Sequence, residues 1–522
     1  MKALLANLGN IQQNNYEMKT KNILTLLMSA TVMSLTACNV STIDIDNTPD
    51  VVEKPSTNPV DGQVLTFTTA ADSMQTLKQA TLATHDGSTI APTTIAIDPA
   101  KRYQTIDGFG FAITYSTAYN LLKMSAEDRA ELLKKIYSPT EGYGVSYARI
   151  SIGCSDFSSR EYTLCDKEGI ENFALQSDET DYVIPVLKEI LAINPNLKVI
   201  AAPWTAPRWM KVGNMETLTP HNEWTDGHVN PMLYDVYAQY FVKFVQEMTK
   251  QGIKIYAVSP QNEPLNKQNS ASTYMPWDEE AEFVKALASE FKRNKLTTQI
   301  YVYDHNYDYS NDMSQVDYPI KVYNALGKNF EGSELVVGAA FHDYGGKPSE
   351  LDDIHSKAPD KGLIFSETSI GTWNNGRQLS KRLVADMQNV ALATVNRNCK
   401  AVLVWNLMLD TNMGPNLDGG CQTCFGAIDI DPNNYKKMNY NSHYFLICHL
   451  SAVVKPGAVR LGTSREPENK NIVHSQFVNP DGTYSAVILN TGDAAADVSV
   501  FDGKKNFMVS VPALGVVSCI WK

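Results

Sequence analysis

Two glutamates have the surroundings that chemistry at a glycosidic bond would require. Glu263 closes the segment Ser259-Pro-Gln-Asn-Glu-Pro264, and Glu367 closes Leu363-Ile-Phe-Ser-Glu-Thr368. Cleaving a glycosidic bond takes two carboxyl groups that flank it. One must be protonated to assist the leaving oxygen, and the other ionised to attack the anomeric carbon. Carboxyl groups about 5–5.5 Å apart give a covalent intermediate and retained configuration, and about 6.5–9.5 Å gives inversion. One glutamate at a strand end is ordinarily a solvated carboxylate. Two of them, each ending an apolar strand, point to a shared site. Asn262 stands directly before Glu263. Its amide either hydrogen-bonds a sugar 2-hydroxyl, a contact that strengthens in the transition state, or simply forms the turn into Glu-Pro.

The elements that must position these residues alternate. Strand-like runs occur at 105–112, 146–153, 197–204, 255–261, 299–303, 335–342, 363–368 and 401–407. Most hold continuous apolar stretches, as parallel strands covered on both faces do. Helix-like segments intervene at 126–137, 181–193, 231–250, 278–294 and 377–396, with a weaker one after the sixth strand. Ser125 with Asp128, and Pro276-Trp-Asp278, read as helix starts. Eight such units predict an α/β fold, a (β/α)8 TIM barrel. Its active sites lie at the C-terminal ends of the strands. Strands four and seven stand on opposite sides of the barrel mouth, so Glu263 and Glu367 should face one pocket.

The tail differs. Short runs at 471–478, 484–489, 496–501 and 507–511 are separated by turn residues such as Asn479-Pro-Asp-Gly482. This pattern predicts an accessory antiparallel β-sandwich. Runs at 64–68 and 94–97 could complete it from the other chain end. The organisation expected is a leader at 1–38, a tether at 39–63, part of the sandwich at 64–103, the barrel at 104–448 and the rest of the sandwich at 449–522.

Lys19 and Lys21 precede an apolar run that ends in Leu35-Thr-Ala-Cys38. This is the layout of a secretory signal, and the run is too short to span a bilayer. The ending resembles a bacterial lipobox, with Cys38 lipidated; the alternative is an ordinary signal and an incidental cysteine. Residues 1–17 lack the pattern, so Met18 is the better-placed start. The polar stretch after Cys38 has the composition of a tether. Such a chain would be exported and held at the bacterial cell envelope.

The chain carries 45 Lys and Arg against 57 Asp and Glu, a net charge of −12. This argues against nucleic acid and anionic membrane surfaces as main partners. Eight cysteines, less Cys38, leave an odd number, so at least one should be unpaired. Cys421 and Cys424 form a CxxC without the further ligands that a zinc site needs. It reads as a loop feature, a disulfide rather than a metal site.

The ordered motifs resemble glycoside hydrolase family 30, which includes glucosylceramidases and β-1,6-glucanases. Gln104-Thr-Ile-Asp-Gly-Phe-Gly110 is similar to its first-strand signature, and Arg149-Ile-Ser-Ile-Gly-Cys-Ser-Asp-Phe157 to its second-strand segment. Ala202-Pro-Trp-Thr-Ala-Pro-Arg-Trp-Met210 resembles its third-strand motif. Asn262-Glu-Pro264, Ser366-Glu367, Trp405-Asn-Leu407 and Gly414-Pro-Asn416 match later ones. The resemblance implies that Glu263 is the acid/base and Glu367 the nucleophile of a retaining enzyme without cofactor or metal. It implies sugar contacts from Asp156 and the neighbouring Phe157, and a pocket lined by Trp204 and Trp405, for which core packing is the alternative. His342 and Tyr344 follow the sixth strand, where a tyrosine could reach the nucleophile or merely pack a loop. Arg149, inside a strand, needs a carboxylate partner, expected near Glu367. Phe111-Ala-Ile-Thr-Tyr115 and Gly419-Gly-Cys-Gln-Thr-Cys424 depart from the family pattern, which bears on substrate and not on reaction class.

The expected substrate is β-1,6-glucan or a gentio-oligosaccharide, with glucosylceramide or a xylan-type β-glycoside as alternatives. A noncatalytic sugar-binding lipoprotein is a different class, and binding alone does not require both glutamates. A metal-dependent barrel enzyme would show His, Asp and Glu at ligand spacing, which the sequence does not.

Overall fold

A computed structural model describes residues 58–522, apart from 73 and 88–90. The leader, Cys38 and most of the tether lie outside the described residues. Eight parallel strands close into a barrel: β1 (Gly108–Ala112), β2 (Tyr147–Ser151), β3 (Lys198–Ala202), β4 (Ile255–Val258), β5 (Gln299–Asn306), β6 (Val336–His342), β7 (Gly362–Glu367) and β8 (Cys399–Asn406). They pair in sequence order, and Ala401 of β8 lies beside Gly108 of β1 to complete the ring.

The helices begin where the local chemistry favours it. The Ser125 hydroxyl accepts the Asp128 N–H at 3.1 Å, capping Ala126–Tyr137, and so satisfies a donor that the first turn leaves free. Pro276 precedes Trp277–Arg293, whose first turn carries Asp278, Glu279 and Glu280, the charge that a helix N-terminus favours. The segment after β6 folds as a short helix, Glu350–Lys357. Among the described residues, no helix is long and apolar enough to cross a membrane.

Aromatic and branched side chains plug the N-terminal end of the barrel. Tyr147, Tyr301, Ile364 and Leu403 are buried there together, each such burial contributing about 1.5–3 kcal/mol. Below them Asp107 pairs with Lys198 at 2.8 Å and Lys400 at 3.3 Å. Filling and pinning this end leaves the C-terminal mouth as the place for chemistry.

A ten-stranded sheet folds into the sandwich, and it draws on both chain ends. Gln63–Ala70 pairs with Gly515–Trp521, and Thr94–Thr105 pairs with Val459–Arg465. Val64, Ile95, Val500 and Trp521 meet in its core, and the Trp521 indole donates to Asp502 at 2.8 Å.

Two expected boundaries shift. Residue 105 ends a sandwich strand and does not begin the barrel. The chain breaks at Gly108, where φ is +142° and a side chain would meet Ser146 Oγ at 2.3 Å. Only glycine fits that close approach. The last helix, Ser442–Ser451, runs past the expected 448 boundary. Val459–Arg465 and Gly515–Trp521 are further sandwich strands.

Candidate active site

The residues that meet at the mouth come from the ends of β2, β4, β5, β6 and β7. At their centre is Arg149, which has no exposed surface. Its Nη1 donates to Glu367 Oε2 at 2.5 Å, and its Nη2 donates to Asp304 Oδ2 at 2.8 Å and Asn262 Oδ1 at 2.7 Å. The guanidinium also lies over the rings of Trp204 and Trp405, 5.1 and 5.3 Å from their centroids. The expected partnership of Arg149 with a carboxylate near Glu367 is therefore present, and Glu367 itself is one of two carboxylate partners. A cation buried in a strand is tolerable only with this compensation; removing one partner of such a pair typically costs about 3–5 kcal/mol.

Glu367 is the last residue of β7, and register places His342 of β6 beside it. Its second oxygen accepts the Tyr344 hydroxyl at 2.9 Å. Burial raises its carboxyl pKa above the usual value, and the charges of His342 and Arg149 offset this only in part. Each oxygen accepts a hydrogen bond, one from Arg149 and the other from Tyr344.

Glu263 stands just beyond β4 with φ of +47°. A non-glycine residue in this region stores about 1–3 kcal/mol of strain. Its N–H donates to the Asp304 carbonyl at 3.0 Å, which fixes the turn. Its carboxylate faces His342 Nδ1 at 3.2 Å and accepts from the Asn266 amide at 2.8 Å. Burial raises this carboxyl, but the His342 contact, the nearby His305 and the Asn266 hydrogen bond together outweigh it and draw Glu263 down to about 2. That direction is opposite to what a resting acid would show, and the neighbouring imidazoles, His342 first, account for most of it. Burial disfavours charge on His342, yet Glu367, Asp304 and Glu263 around it raise it to about 9. The other ring nitrogen lies 3.1 Å from Asp304 Oδ1. His342 thus holds the proton in the resting site. Its transfer across 3.2 Å to Glu263 leaves a carboxylic acid beside a neutral ring, with no change in total charge.

A consequence is a pH limit. Activity on substrates with poor leaving groups should fall as pH rises through about 9, where the His342–Glu263 pair loses its proton. Because the folded pKa of His342 is raised, its contribution to stability is fully present below its unfolded value of 6.5 and lost as pH rises through about 9. The pH profiles of kcat and Tm, compared with His342→Gln, check this. An alkaline limb unchanged in the variant would contradict it.

β5 supplies residues that the sequence reading stopped short of. Tyr303 and Asp304 have φ of +77° and +60°, and this break turns Asp304 and His305 towards the site. The buried Glu280 carboxylate accepts the Tyr303 N–H at 3.0 Å, satisfying a donor that the break removes from the ladder. Ser366 Oγ donates to Asp304 Oδ1 at 2.5 Å. His305 Nδ1 lies 3.9 Å from Glu263, and burial lowers its pKa to about 4. Glu263, His305 and His342 place one potential metal-ligand atom each within 4.8 Å of one another. They come from three strands, so ligand spacing in the sequence could not reveal them. Both His342 nitrogens already face carboxylates, which suits a proton relay.

A cleft of about 300 Å³ opens over the two glutamates. Asp156, Tyr344, Trp373, Trp405 and the Cys421–Cys424 disulfide line it. Asp156 is buried, and its Oδ1 has no hydrogen-bond partner in the protein. Burial, then the charge of Glu367, holds its carboxyl well above the usual range. Phe157 and Trp204 do not line the cleft. Trp204 stacks on Trp405 with centroids 5.2 Å apart, and Phe157 meets the same ring edge-on at 6.3 Å. Both are buried behind it, so they set its orientation. Asn262 and His342 are likewise buried and act through their neighbours. Cys154 and Cys165 remain free and buried. Trp373, 53% exposed, and Asn266 join the expected residues; an unburied tryptophan six positions after Glu367 was the available signal.

A closed barrel with paired carboxylates, one just after its fourth strand and one ending its seventh, is the architecture of a glycoside hydrolase. Residues 106–453 match the glycosyl hydrolase family 30 TIM-barrel domain and residues 457–519 its β-sandwich domain, and the chain belongs to that family. The structure is similar to that of the endo-β1,6-glucanase BT3312, with a TM-score of 0.84 and 53% identity over 88% of this chain and 99% of that one. Endo-1,6-beta-D-glucanase BGN16.3 of Trichoderma harzianum is 31% identical, over 74% of this chain and 78% of its own. Putative glucosylceramidase 4 of Caenorhabditis elegans is 28% identical, over 80% and 81%.

Proposed function

We propose that this glycosidase cleaves β-1,6-linked glucan or gentio-oligosaccharides with retention of configuration. Glu367 attacks the anomeric carbon as Glu263 protonates the departing oxygen, so that the glycosidic C–O bond breaks and a glycosyl ester forms. Glu263 then takes a proton from water, which displaces Glu367 and releases the sugar. The observation that carries this reading is the unequal support of the two carboxylates. Glu367 is held by two donors, Arg149 and Tyr344, whereas Glu263 faces the proton-bearing His342.

The substrate reading rests on the cleft as well as on the likeness to β-1,6-glucanases. Among the described residues lining it are carboxylates, amides, Ser369, aromatic rings and a disulfide, with no aliphatic side chain. Such a lining suits sugar hydroxyls and ring faces, and it offers little to an acyl chain. Glucosylceramide is the second reading, favoured by the glucosylceramidase relatives. Product release from β-1,6-glucan, gentiobiose, glucosylceramide, β-1,3-glucan and xylan tests both. Turnover of β-1,6-linked substrates alone supports the first; a preference for glucosylceramide or xylan overturns it.

We also propose export and lipid anchoring at Cys38, supported by the leader pattern and the polar stretch behind it. Cys38→Ser should move the protein from the membrane to the soluble fraction, and an unchanged distribution would refute the anchor.

A further inference from the structure

The loop after β8 carries Gly419-Gly-Cys-Gln-Thr-Cys424, and the reaction scheme above gives it no task. It is attached on both sides of the cleft. Its Leu417 N–H donates to the Asp156 carbonyl at 2.9 Å, and the Gly420 N–H to the Leu417 carbonyl at 3.1 Å. Against the burial that raises the Asp156 pKa, the backbone of Cys421 lies close enough to the carboxyl to lower it. Gly420 is so close that a side chain there would lie 2.6 Å from Asp156 Cβ and 2.9 Å from its carbonyl. Gly419 rests against Ser270, whose hydroxyl donates to Glu161 at 2.6 Å. On its far side, Thr372 N–H donates to the Thr423 carbonyl at 3.1 Å, and Gly371 pairs with Cys424. Gly371 is also the floor for Trp373, because a side chain on it would overlap the indole at 1.9 Å.

We propose that residues 417–424, closed by the Cys421–Cys424 disulfide, form a positioning clamp that holds Asp156 and Trp373 in place for a β-linked glucosyl residue. The inference rests on the glycosidase reading and adds the part that grips the substrate. Asp156 has a buried oxygen without a partner, and a sugar hydroxyl would supply the missing hydrogen bond. It can do so only if the carboxylate is held still, since small displacements of positioning groups cost large factors in rate. The short covalent ring removes alternative conformations of the loop that bonds and packs against Asp156 through Leu417 and Gly420. Through Thr423 and Cys424 the same ring fixes the backbone beneath Trp373. Cys421 and Cys424 are therefore positioning residues, and the substrate contacts are made by Asp156 and Trp373.

The test uses two variants of the full chain, Cys421→Ser/Cys424→Ser and Gly420→Ala. The second keeps the disulfide but presses on Asp156, and it decides the matter if the first does not fold. Amide hydrogen exchange should accelerate about tenfold or more in residues 155–158 for both, and in 370–376 for the disulfide variant. This readout does not depend on turnover, so it tests the clamp even if the proposed substrates are wrong. On an accepted substrate, KM should rise about tenfold with a smaller change in kcat, and the rise should vanish in an Asp156→Asn background. A lower Tm with unchanged exchange in these segments and unchanged KM would show a purely structural disulfide and overturn the proposal. So would a KM effect that persists without Asp156.

Discussion

Glu367→Gln is expected to lower kcat by about 100,000-fold, close to 7 kcal/mol of transition-state stabilisation. The side chain is the same size, and Tyr344 and Asp304 keep the neighbouring polar groups paired, so the variant should fold. What is lost is the ionised oxygen that forms the bond to the anomeric carbon. Tyr344 and Arg149 each donate to one of its oxygens, a placement that aims the carboxylate and does not neutralise it by protonation. Steady-state rates on an activated aryl glucoside, with circular dichroism to monitor folding, check the claim. A residual rate within tenfold of the native protein would place the nucleophile elsewhere.

The second large effect is selective. Glu263→Gln should reduce hydrolysis of a natural linkage by about 100- to 10,000-fold, the range ascribed to general acid catalysis. An aryl glucoside needs little protonation of its leaving group, so its first step should survive. The second step still needs a base to activate water. The variant should therefore release a burst of phenol and then turn over slowly, and added azide should restore the steady rate by attacking the glycosyl ester without a base. Equal loss on both substrates, with no burst, would contradict the assignment of Glu263 as the acid/base.

Much of this site was legible in the sequence because strand seven is an apolar run that ends in a carboxylate, and strand four is one followed within five residues by another. The same logic should have found Asp304 and His305, which lie near the end of β5. It failed because the reading stopped that strand at Tyr303, where two consecutive residues take left-handed backbone that no local residue pattern announces. The Glu280 carboxylate that supports them comes from a neighbouring helix, a contact that only the folded chain creates. Trp204 and Trp405 both sit at strand ends and read alike as pocket aromatics. Which ring faces the cleft depends on their stacking, and that is a tertiary fact. Arg149 shows the reverse case, since a charge inside an apolar strand demands a partner and the partner could be placed in advance.

The sandwich divides the same way. Its alternating tail runs between turn residues were readable. Val459–Arg465 was not, because it is largely polar and becomes a strand through pairing with Thr94–Thr105, far away in the chain. The CxxC was correctly separable from a zinc site by counting ligands, and the disulfide forms. Its place over Asp156 could not be read, because it depends on where the loop after β8 folds back.

The most direct test of the central claim is to trap the glycosyl-enzyme. The protein would be incubated with a 2-deoxy-2-fluoro-β-glucosyl fluoride, digested, and mapped by mass spectrometry. The fluorine slows both steps, and the fluoride leaving group restores only the first, so the ester should accumulate. The account predicts one fluoroglucosyl group per chain, attached to the peptide containing Glu367 and absent from Glu367→Gln. A label on any other residue, or an active enzyme that releases the inverted sugar and never carries a label, would contradict it.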